Sequence, residues 1–336
     1  MQTVYLDSSE LNDAANYLKK GEVVAFPTET VYGLGADATN EEAVQKIFAA
    51  KGRPSDNPLI IHIANEDQLE RYVESVPDVA RKIISHFWPG PCTLVLNKKG
   101  PIAPSVTGGL NTVGVRMPDH PVALELIEKA GVPLAAPSAN SSGKPSPTSA
   151  LHVRRDLDGK IQAIVDGGST GVGLESTVLD LTDPEKPTIL RPGGVTLEEL
   201  ETLIGKVYVD THLTDAKAAP RSPGMKYKHY SPEKPVWILP DSLNETEKVM
   251  NRLEAEGEKI GMLVSENWLR DLDNGRRTGR SLGAKDKPQQ AASRLFSCLR
   301  ALDDEDITII LVEPYEKIGI GTAYMNRLEK AASRIL

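Results

Sequence analysis

Cysteine, aromatic residues and long apolar runs are all scarce in this sequence of 336 residues. The two cysteines, Cys92 and Cys298, lie far apart, and no CxxC pair or Cys/His cluster has the spacing of a zinc site. Both are interpreted as reduced core residues in a reducing compartment. No apolar run approaches the roughly 20 residues of a membrane helix, and the first residues do not resemble a signal peptide. These absences predict a cytoplasmic protein without a membrane segment.

The composition predicts two aliphatic cores and disfavours tight binding to nucleic acid. Hydrophobic residues make up 40 % of the chain and aromatic residues only 5 %, so the cores must consist of Leu, Ile, Val and Ala. A length of 336 residues exceeds what one core usually supports, which favours two domains. The net charge of −8 does not favour polyanions, so no direct tight tRNA binding is expected.

The pattern of helices and strands predicts an α/β protein in three parts. Residues 1–209 alternate helices with strands, and their last strands follow one another without helices, which indicates a twisted mixed sheet rather than a purely parallel one. Residues 210–233 contain three prolines and one glycine with little apolar periodicity, which predicts an extended linker. Residues 234–336 alternate again and predict a smaller parallel, Rossmann-like α/β domain.

Two glycine-containing segments need to be distinguished. Gly33–Ala38 matches a relaxed dinucleotide fingerprint, but Pro27–Tyr32 separate it from the preceding strand, so a nucleotide-binding turn is disfavoured there. The loop Pro27–Leu34 instead places the hydroxyls of Thr28 and Thr30 at the end of a buried strand. Taken alone, this loop is better explained as an ordinary polar turn.

A basic loop follows a well-defined helix. Asn40 predicts the start of a helix over Glu41–Lys51, and Gly52 predicts its end. Lys51 and Arg53 flank that glycine, and the two prolines that follow stiffen the chain. A fixed loop with Lys and Arg suits a polyphosphate. The alternative is a solvated basic helix end that the helix dipole favours.

Two further segments predict polar sites after strands. Arg116 lies near the end of a buried strand, where its charge needs a partner. A ligand carboxylate or an internal Asp or Glu would serve. The loop 135–146 is dense in hydroxyls and amides that can bind phosphate oxygens or a ribose without a Walker motif. Its alternative is a flexible Ser-rich loop.

Together these motifs resemble those of the threonylcarbamoyl-AMP synthase family, in its long form with a YrdC-like catalytic domain. The matching segments are Pro27–Leu34, Lys51–Pro54, Val115–Pro118, Pro137–Asn140, Glu175–Val178, Ile189–Gly193 and, in the linker, Ser222–Pro232. The resemblance covers essentially the whole chain in order. It implies a twisted α/β sheet with a concave, positively lined cavity, followed by a Rossmann-like domain.

The resemblance also implies a set of binding residues. Those for L-threonine are Thr30, His62, Arg116 and Ser176, with Arg116 on the carboxylate. Those for ATP are Lys51, Arg53, Asn57, Thr112, Ala136 through its backbone, Ser138, Asn140, Ser146, Arg191 and Tyr230 from the linker. Lys51 and Arg53 are the candidate catalytic residues, and Tyr227 is an alternative to Tyr230. We expect residues 211–233 to form a lid over the nucleotide.

The function that the resemblance implies is nucleotidyl transfer. L-threonine, bicarbonate and ATP would give L-threonylcarbamoyladenylate and pyrophosphate, for threonylcarbamoyl modification of the tRNA adenosine next to the anticodon. Mg²⁺ is expected on the triphosphate without assigned protein ligands. The partners would be proteins that transfer the product to tRNA. The alternative is a non-catalytic RNA-binding or nucleotide- and amino-acid-sensing module.

Overall fold

The computed structural model describes residues 2–210 and 229–336. The chain divides into two compact units. The first holds residues 2–142, 146–171 and 175–210, and the second holds residues 143–145, 172–174 and 229–336. Most of the predicted linker 210–233, including Tyr227, lies outside the described residues.

The first unit is built on a sheet of eleven strands. Its strands are β1 Val4–Asp7, β2 Val24–Phe26, β3 Gly33–Asp37, β4 Ile60–His62, β5 Cys92–Asn97, β6 Thr112–Arg116, β7 Leu134–Ala135, β8 Ala163–Asp166, β9 Thr177–Asp180, β10 Thr188–Arg191 and β11 Tyr208–Val209. Their order is β1-β8-β2-β3-β7-β4-β6-β5-β9-β10-β11. Parallel pairs such as β4·β6 stand beside antiparallel pairs such as β5·β6. The predicted mixed sheet is therefore confirmed.

Helices cover both faces of this sheet. They are α1 Leu11–Lys19, α2 Glu41–Lys51, α3 Leu69–Tyr72, α4 Asp78–Phe87, α5 Pro104–Thr107, α6 Pro121–Ala130, α7 Ala150–Leu157 and α8 Leu197–Ile204. One core packs α2 and α4 onto the sheet, and the other packs α1 and α6. α2 has the predicted bounds, because the Asn40 side chain accepts from the Ala43 N–H and Gly52 ends the helix in the left-handed region.

The sequence reading was wrong about Gly33 and Leu34. They were expected in a loop, and the structure places them in β3, where Gly33 pairs with Phe26 and Gly35 with Val24. The Cβ of a residue other than glycine at position 35 would lie 2.7 Å from the Phe26 ring. Glycine at this position therefore lets the Phe26 ring pack against the strand. An antiparallel strand here also removes the strand–turn–helix geometry of a dinucleotide site.

The second unit is a small parallel sheet flanked by helices. Its strands are β12 Val236–Ile238, β13 Ile260–Val264, β14 Thr278–Ser281, β15 Ile309–Val312 and β16 Arg334–Ile335, in the order β14-β13-β15-β12-β16. Its helices are α9 Leu243–Ala255, α10 Glu266–Leu272, α11 Pro288–Asp303 and α12 Ile320–Ala331. Each described strand pair is parallel, as predicted. The sequence reading missed the short elements β14, α10 and β16.

Neither cysteine forms a disulfide in the described chain. Cys92 is buried at the start of β5, and Cys298 is partly buried in α11. Burial raises the pKa of the Cys92 thiol to about 12, so it stays protonated and behaves as a small apolar residue. In the part of the chain that the structure describes, no helix is long and apolar enough to cross a membrane.

Candidate functional site

Three of the predicted amino-acid-binding residues lie at one edge of the first sheet. His62 ends β4 and Arg116 ends β6, and the two residues pair in parallel register. β5 is antiparallel to β6 and parallel to β9. The start of β9, next to Ser176, therefore lies at the same edge as the ends of β4 and β6.

The sheet face that leads away from this edge is apolar. Side chains alternate along a strand, so Thr112, Gly114 and Arg116 share one face of β6. Gly114 pairs with Ile60 on one side and with Val95 on the other. A hollow over this face is lined by Pro58, Leu59, Ile60, Val95, Val106, Thr107, Leu110, Thr112, Val113, Gly114 and Val178. Thr112 borders this hollow, and Arg116 lies about 13 Å away at the other end of β6.

Arg116 is buried and fixed by neutral acceptors on two of its nitrogens. Its Nε donates to the Gly90 carbonyl at 3.1 Å, and its Nη1 donates to the Thr30 hydroxyl at 2.9 Å. Thr30 is itself fully buried, and its hydroxyl lies 2.8 Å from that of Thr28. The structure thus brings together two of the predicted threonine-binding residues, Arg116 and Thr30.

The third nitrogen of Arg116 faces an internal carboxylate. Its Nη2 lies 2.5 Å from Oε1 of Glu29, with side chains that are 5 % and 12 % exposed. The contact is an ion pair without hydrogen-bond geometry, since Nη2 and both Glu29 oxygens are buried without a hydrogen bond in the described chain. Of the two partners left open by the sequence, the internal acid is present. Sequence reasoning missed Glu29, although it stands between Thr28 and Thr30 in the matched motif.

His62 is an uncharged residue of this cluster. It is buried, its ring meets that of Phe26 edge-on at 6.2 Å, and its Nδ1 has no hydrogen-bond partner among the described residues. Burial, helped by the Arg116 charge, lowers the pKa of His62 to about 3. The ring is therefore neutral near pH 7 and can exchange a hydrogen bond with a ligand hydroxyl.

Ser176 is held by a residue predicted to bind the other substrate. Its hydroxyl lies 2.8 Å from that of Thr93, and the Arg191 guanidinium donates to its carbonyl from Nη2 at 2.9 Å and from Nε at 3.1 Å. Arg191 Nη2 also lies 3.1 Å from the Ser176 hydroxyl. Gly193 packs so closely that an added Cβ would lie 2.2 Å from the Thr177 nitrogen. Thr93 and Gly193 were not singled out from the sequence as site residues.

Lys51 joins the end of α2 to the loop after β7. Its ammonium donates to the carbonyls of Ser138 at 2.5 Å and Asn140 at 2.6 Å. The Ser138 hydroxyl donates to the Asn140 side chain at 2.6 Å. Three of the predicted ATP-binding residues are therefore in direct contact. The loop that the sequence left open as flexible is tied to α2 by a buried cation.

The other predicted ATP-binding residues lie on several elements. Arg53 Nη2 donates to the Pro58 carbonyl at 3.2 Å, within its own loop. Asn57 is buried, and its Oδ1 has no partner in the described chain. The Ala136 N–H donates to the Ile60 carbonyl at 3.0 Å, so its backbone nitrogen is already used by the sheet. Thr112 begins β6, where it borders the hollow.

Ser146 and Tyr230 complete the predicted set. The Ser146 hydroxyl donates to the buried Glu175 carboxylate. Tyr230 belongs to the second unit, where its buried ring stacks on Phe296 at 5.2 Å and its φ is 66°. The nucleotide contact of Tyr230 and the lid over residues 211–233 stay predictions.

No protein metal centre is built from the described residues. Within residues 2–210 and 229–336, no group of three or more His, Cys, Asp or Glu side chains is placed to hold a metal ion. The charged groups of the site are mainly cations, namely Lys51, Arg53, Arg116 and Arg191. Such a set suits the carboxylate and phosphate groups of substrates.

Comparison with known families and proteins covers nearly the whole chain. A family model described as "Telomere recombination" matches residues 16–193, and one described as "Threonylcarbamoyl-AMP synthase, C-terminal domain" matches residues 195–333. The threonylcarbamoyl-AMP synthase of Bacillus subtilis is 48 % identical over 96 % of this chain and 93 % of its own. That of Pyrococcus abyssi is 46 % identical over 97 % of this chain and 95 % of its own.

A solved structure gives the same match in three dimensions. The crystal structure of P. abyssi Sua5 complexed with L-threonine aligns with a TM-score of 0.92 at 44 % identity. The alignment covers 100 % of this chain and 99 % of that one. Sequence and structure comparisons thus identify the same group of relatives.

Proposed function

Because this chain belongs to the threonylcarbamoyl-AMP synthase family, we propose that it makes L-threonylcarbamoyladenylate from L-threonine, bicarbonate and ATP. The relatives of similar length are named for this synthesis, and one of them was crystallised with L-threonine. The product would serve the threonylcarbamoyl modification of tRNA. L-threonine, bicarbonate and ATP are all available in the cytoplasm, and we propose that the protein acts there.

The observation that carries the proposal is the layout of one sheet face. Arg116, His62 and Ser176 gather at one edge, and Thr112 lies at the far end of an apolar floor. A small zwitterion at the first position and a nucleoside at the second would lie side by side. Holding two substrates in this way supplies most of the rate gain for a reaction with a reactive nucleophile.

The reaction needs no nucleophile from the protein. The amine of threonine adds to CO₂ formed from bicarbonate and releases a proton, which gives an anionic carbamate. A carbamate oxygen then attacks the α-phosphorus of ATP, and the bond from that phosphorus to the bridging oxygen breaks, so pyrophosphate leaves. The enzyme would thus be a nucleotidyltransferase. Its residues would orient the substrates and stabilise charge on the phosphates.

We propose Lys51, Arg53 and Arg191 for the phosphate charge. Lys51 and Arg191 are buried, so their charges act in a medium of low polarity, where electrostatic stabilisation is strong. Mg²⁺ would arrive with ATP as part of the substrate, because the cations of this site suit phosphate oxygens rather than a metal. The product would pass to proteins that transfer it to tRNA.

The test is pyrophosphate release with each substrate omitted in turn. Pyrophosphate and an AMP-containing product should form only when L-threonine, bicarbonate and ATP are all present. Lys51→Met keeps most of the length of the side chain without the charge, and it should release pyrophosphate more slowly than the wild type. Equal pyrophosphate release with and without threonine would reject the proposal.

A further inference from the structure

The ion pair between Glu29 and Arg116 is unusual in its placement and in its geometry. The Arg116 nitrogen involved is the one without a neutral acceptor, and the two side chains are 12 % and 5 % exposed. The atoms touch at 2.5 Å, yet neither carboxylate oxygen makes a hydrogen bond within the described residues. The pair is therefore held mainly by charge, and a ligand that adds hydrogen bonds would compete with Glu29 for Arg116.

The surroundings of Glu29 leave it able to bind a cation. Glu29 forms an ion pair with Arg116, and its negative charge also acts on the nearby titratable ring of His120. Burial lowers the pKa of His120 despite that negative charge, so this ring is mostly neutral near pH 7. A buried carboxylate without hydrogen bonds is costly, and a ligand that donates hydrogen bonds relieves the cost.

The pair matches the charge pattern of an α-amino acid. The carboxylate and the ammonium of such a zwitterion are bonded to the same carbon, so they lie on the order of 3 Å apart, close to the spacing of buried ion pairs. If the ligand carboxylate takes Arg116 Nη2, its ammonium comes to the side where Glu29 lies. The four charges then alternate in sign, and no buried charge is left unmatched.

We propose that Glu29 binds the α-ammonium group of the amino-acid substrate and makes the site specific for zwitterions. This inference rests on the proposed function, because it assigns a residue within the threonine site. In the ligand-free protein Glu29 occupies the place of the substrate carboxylate on Arg116. A ligand with a carboxylate but no amine displaces Glu29 and leaves it without a partner.

The test compares two ligands by calorimetry. L-threonine and its analogue with a hydroxyl in place of the amine, 2,3-dihydroxybutanoate, are titrated into the wild-type protein and into Glu29→Gln. The variant should bind threonine about 10- to 100-fold more weakly, as expected for the loss of a charge-assisted hydrogen bond. It should bind the analogue with equal or higher affinity, because Arg116 no longer has a competing partner.

The control variant removes the carboxylate of a different ion pair with a buried arginine, outside the candidate site. Glu254 pairs with the buried Arg277 in the second unit at 2.9 Å, and Glu254→Gln should leave both affinities unchanged. If Glu29→Gln weakens the binding of both ligands equally, or tightens the binding of both, Glu29 is only an internal counter-ion. If Glu29→Gln does not fold, the wild-type protein still decides, since equal affinity for the two ligands overturns the proposal. Threonine-dependent pyrophosphate release by the wild type tests the proposed function separately.

Discussion

Replacing Arg116 with alanine removes two interactions at once, which are the proposed contact with the substrate carboxylate and the ion pair with Glu29. The loss of a charge-assisted contact costs on the order of 1.5–3 kcal/mol. At about 1.4 kcal/mol for each factor of ten, threonine affinity should fall roughly 10- to 150-fold. ATP affinity should change little, because Arg116 lies at the opposite end of β6 from Thr112.

The same substitution should lower the stability of the fold. It leaves Glu29 without its cation and removes the hydrogen bonds to Gly90 and Thr30. Breaking one side of a buried ion pair costs about 3–5 kcal/mol, and the lower end applies here since Glu29 is 12 % exposed. Adding Glu29→Gln should recover part of this loss, because an amide is cheaper to bury than a carboxylate.

The assay is calorimetric titration of threonine and of ATP into each variant, together with urea unfolding. Arg53→Ala is the contrasting variant, since Arg53 is predicted to act on ATP and should leave threonine binding intact. Unchanged threonine affinity in a folded Arg116→Ala protein would refute the assignment. A parallel loss of both affinities would instead show that the substitution disorders the whole site.

Three further predictions concern stability and local geometry. Folding lowers the pKa of His62 from 6.5 to about 3. As the pH falls, the unfolded state therefore binds a proton at His62 before the folded state does. The contribution of neutral His62 to stability is complete above pH 6.5 and is lost as the pH falls towards 3. His62→Gln should flatten that acid limb by up to about 1.4 kcal/mol per pH unit in urea unfolding, and an unchanged limb would contradict the cause. Gly193→Ala should abolish threonine binding or folding because its Cβ would lie 2.2 Å from a backbone nitrogen, whereas Gly171→Ala, with its nearest atom at 3.9 Å, should be tolerated. Thr196→Ala breaks the capping box with Glu199 that starts α8 and should cost about 0.5–2 kcal/mol in thermal or urea unfolding.

Elements with local signals could be predicted, and those that depend on distant partners could not. α2 was predicted to the residue, because its start and end signals, Asn40 and Gly52, directly flank the helix in sequence. β3 was missed, because Gly33 and Gly35 have low strand propensity and become a strand only by pairing with β2 and β7. The glycines serve the packing of Phe26, which no window of sequence around them reveals.

The same distinction holds for the candidate site. The sequence could nominate Lys51 and Arg116 from the match of their motifs, but not their partners. Lys51 reaches carbonyls 87 and 89 residues away along the chain. Glu29 lies 87 positions before Arg116, and only the folded sheet brings the two charges together. The residue types of a site are thus visible in a sequence, whereas the internal contacts that hold its charges are not.

The hydrogen bonds between Arg191 and Ser176 connect two residues that are predicted to bind different substrates. One residue is assigned to ATP and the other to threonine, yet the guanidinium holds both the carbonyl and the hydroxyl of Ser176. If bound nucleotide draws Arg191 away from Ser176, we expect the affinity for threonine to change by some factor. Reciprocity then requires threonine to change the affinity for ATP by that same factor. The two binding constants of this enzyme are therefore expected to form one coupled set, in which neither has a single value independent of the other substrate.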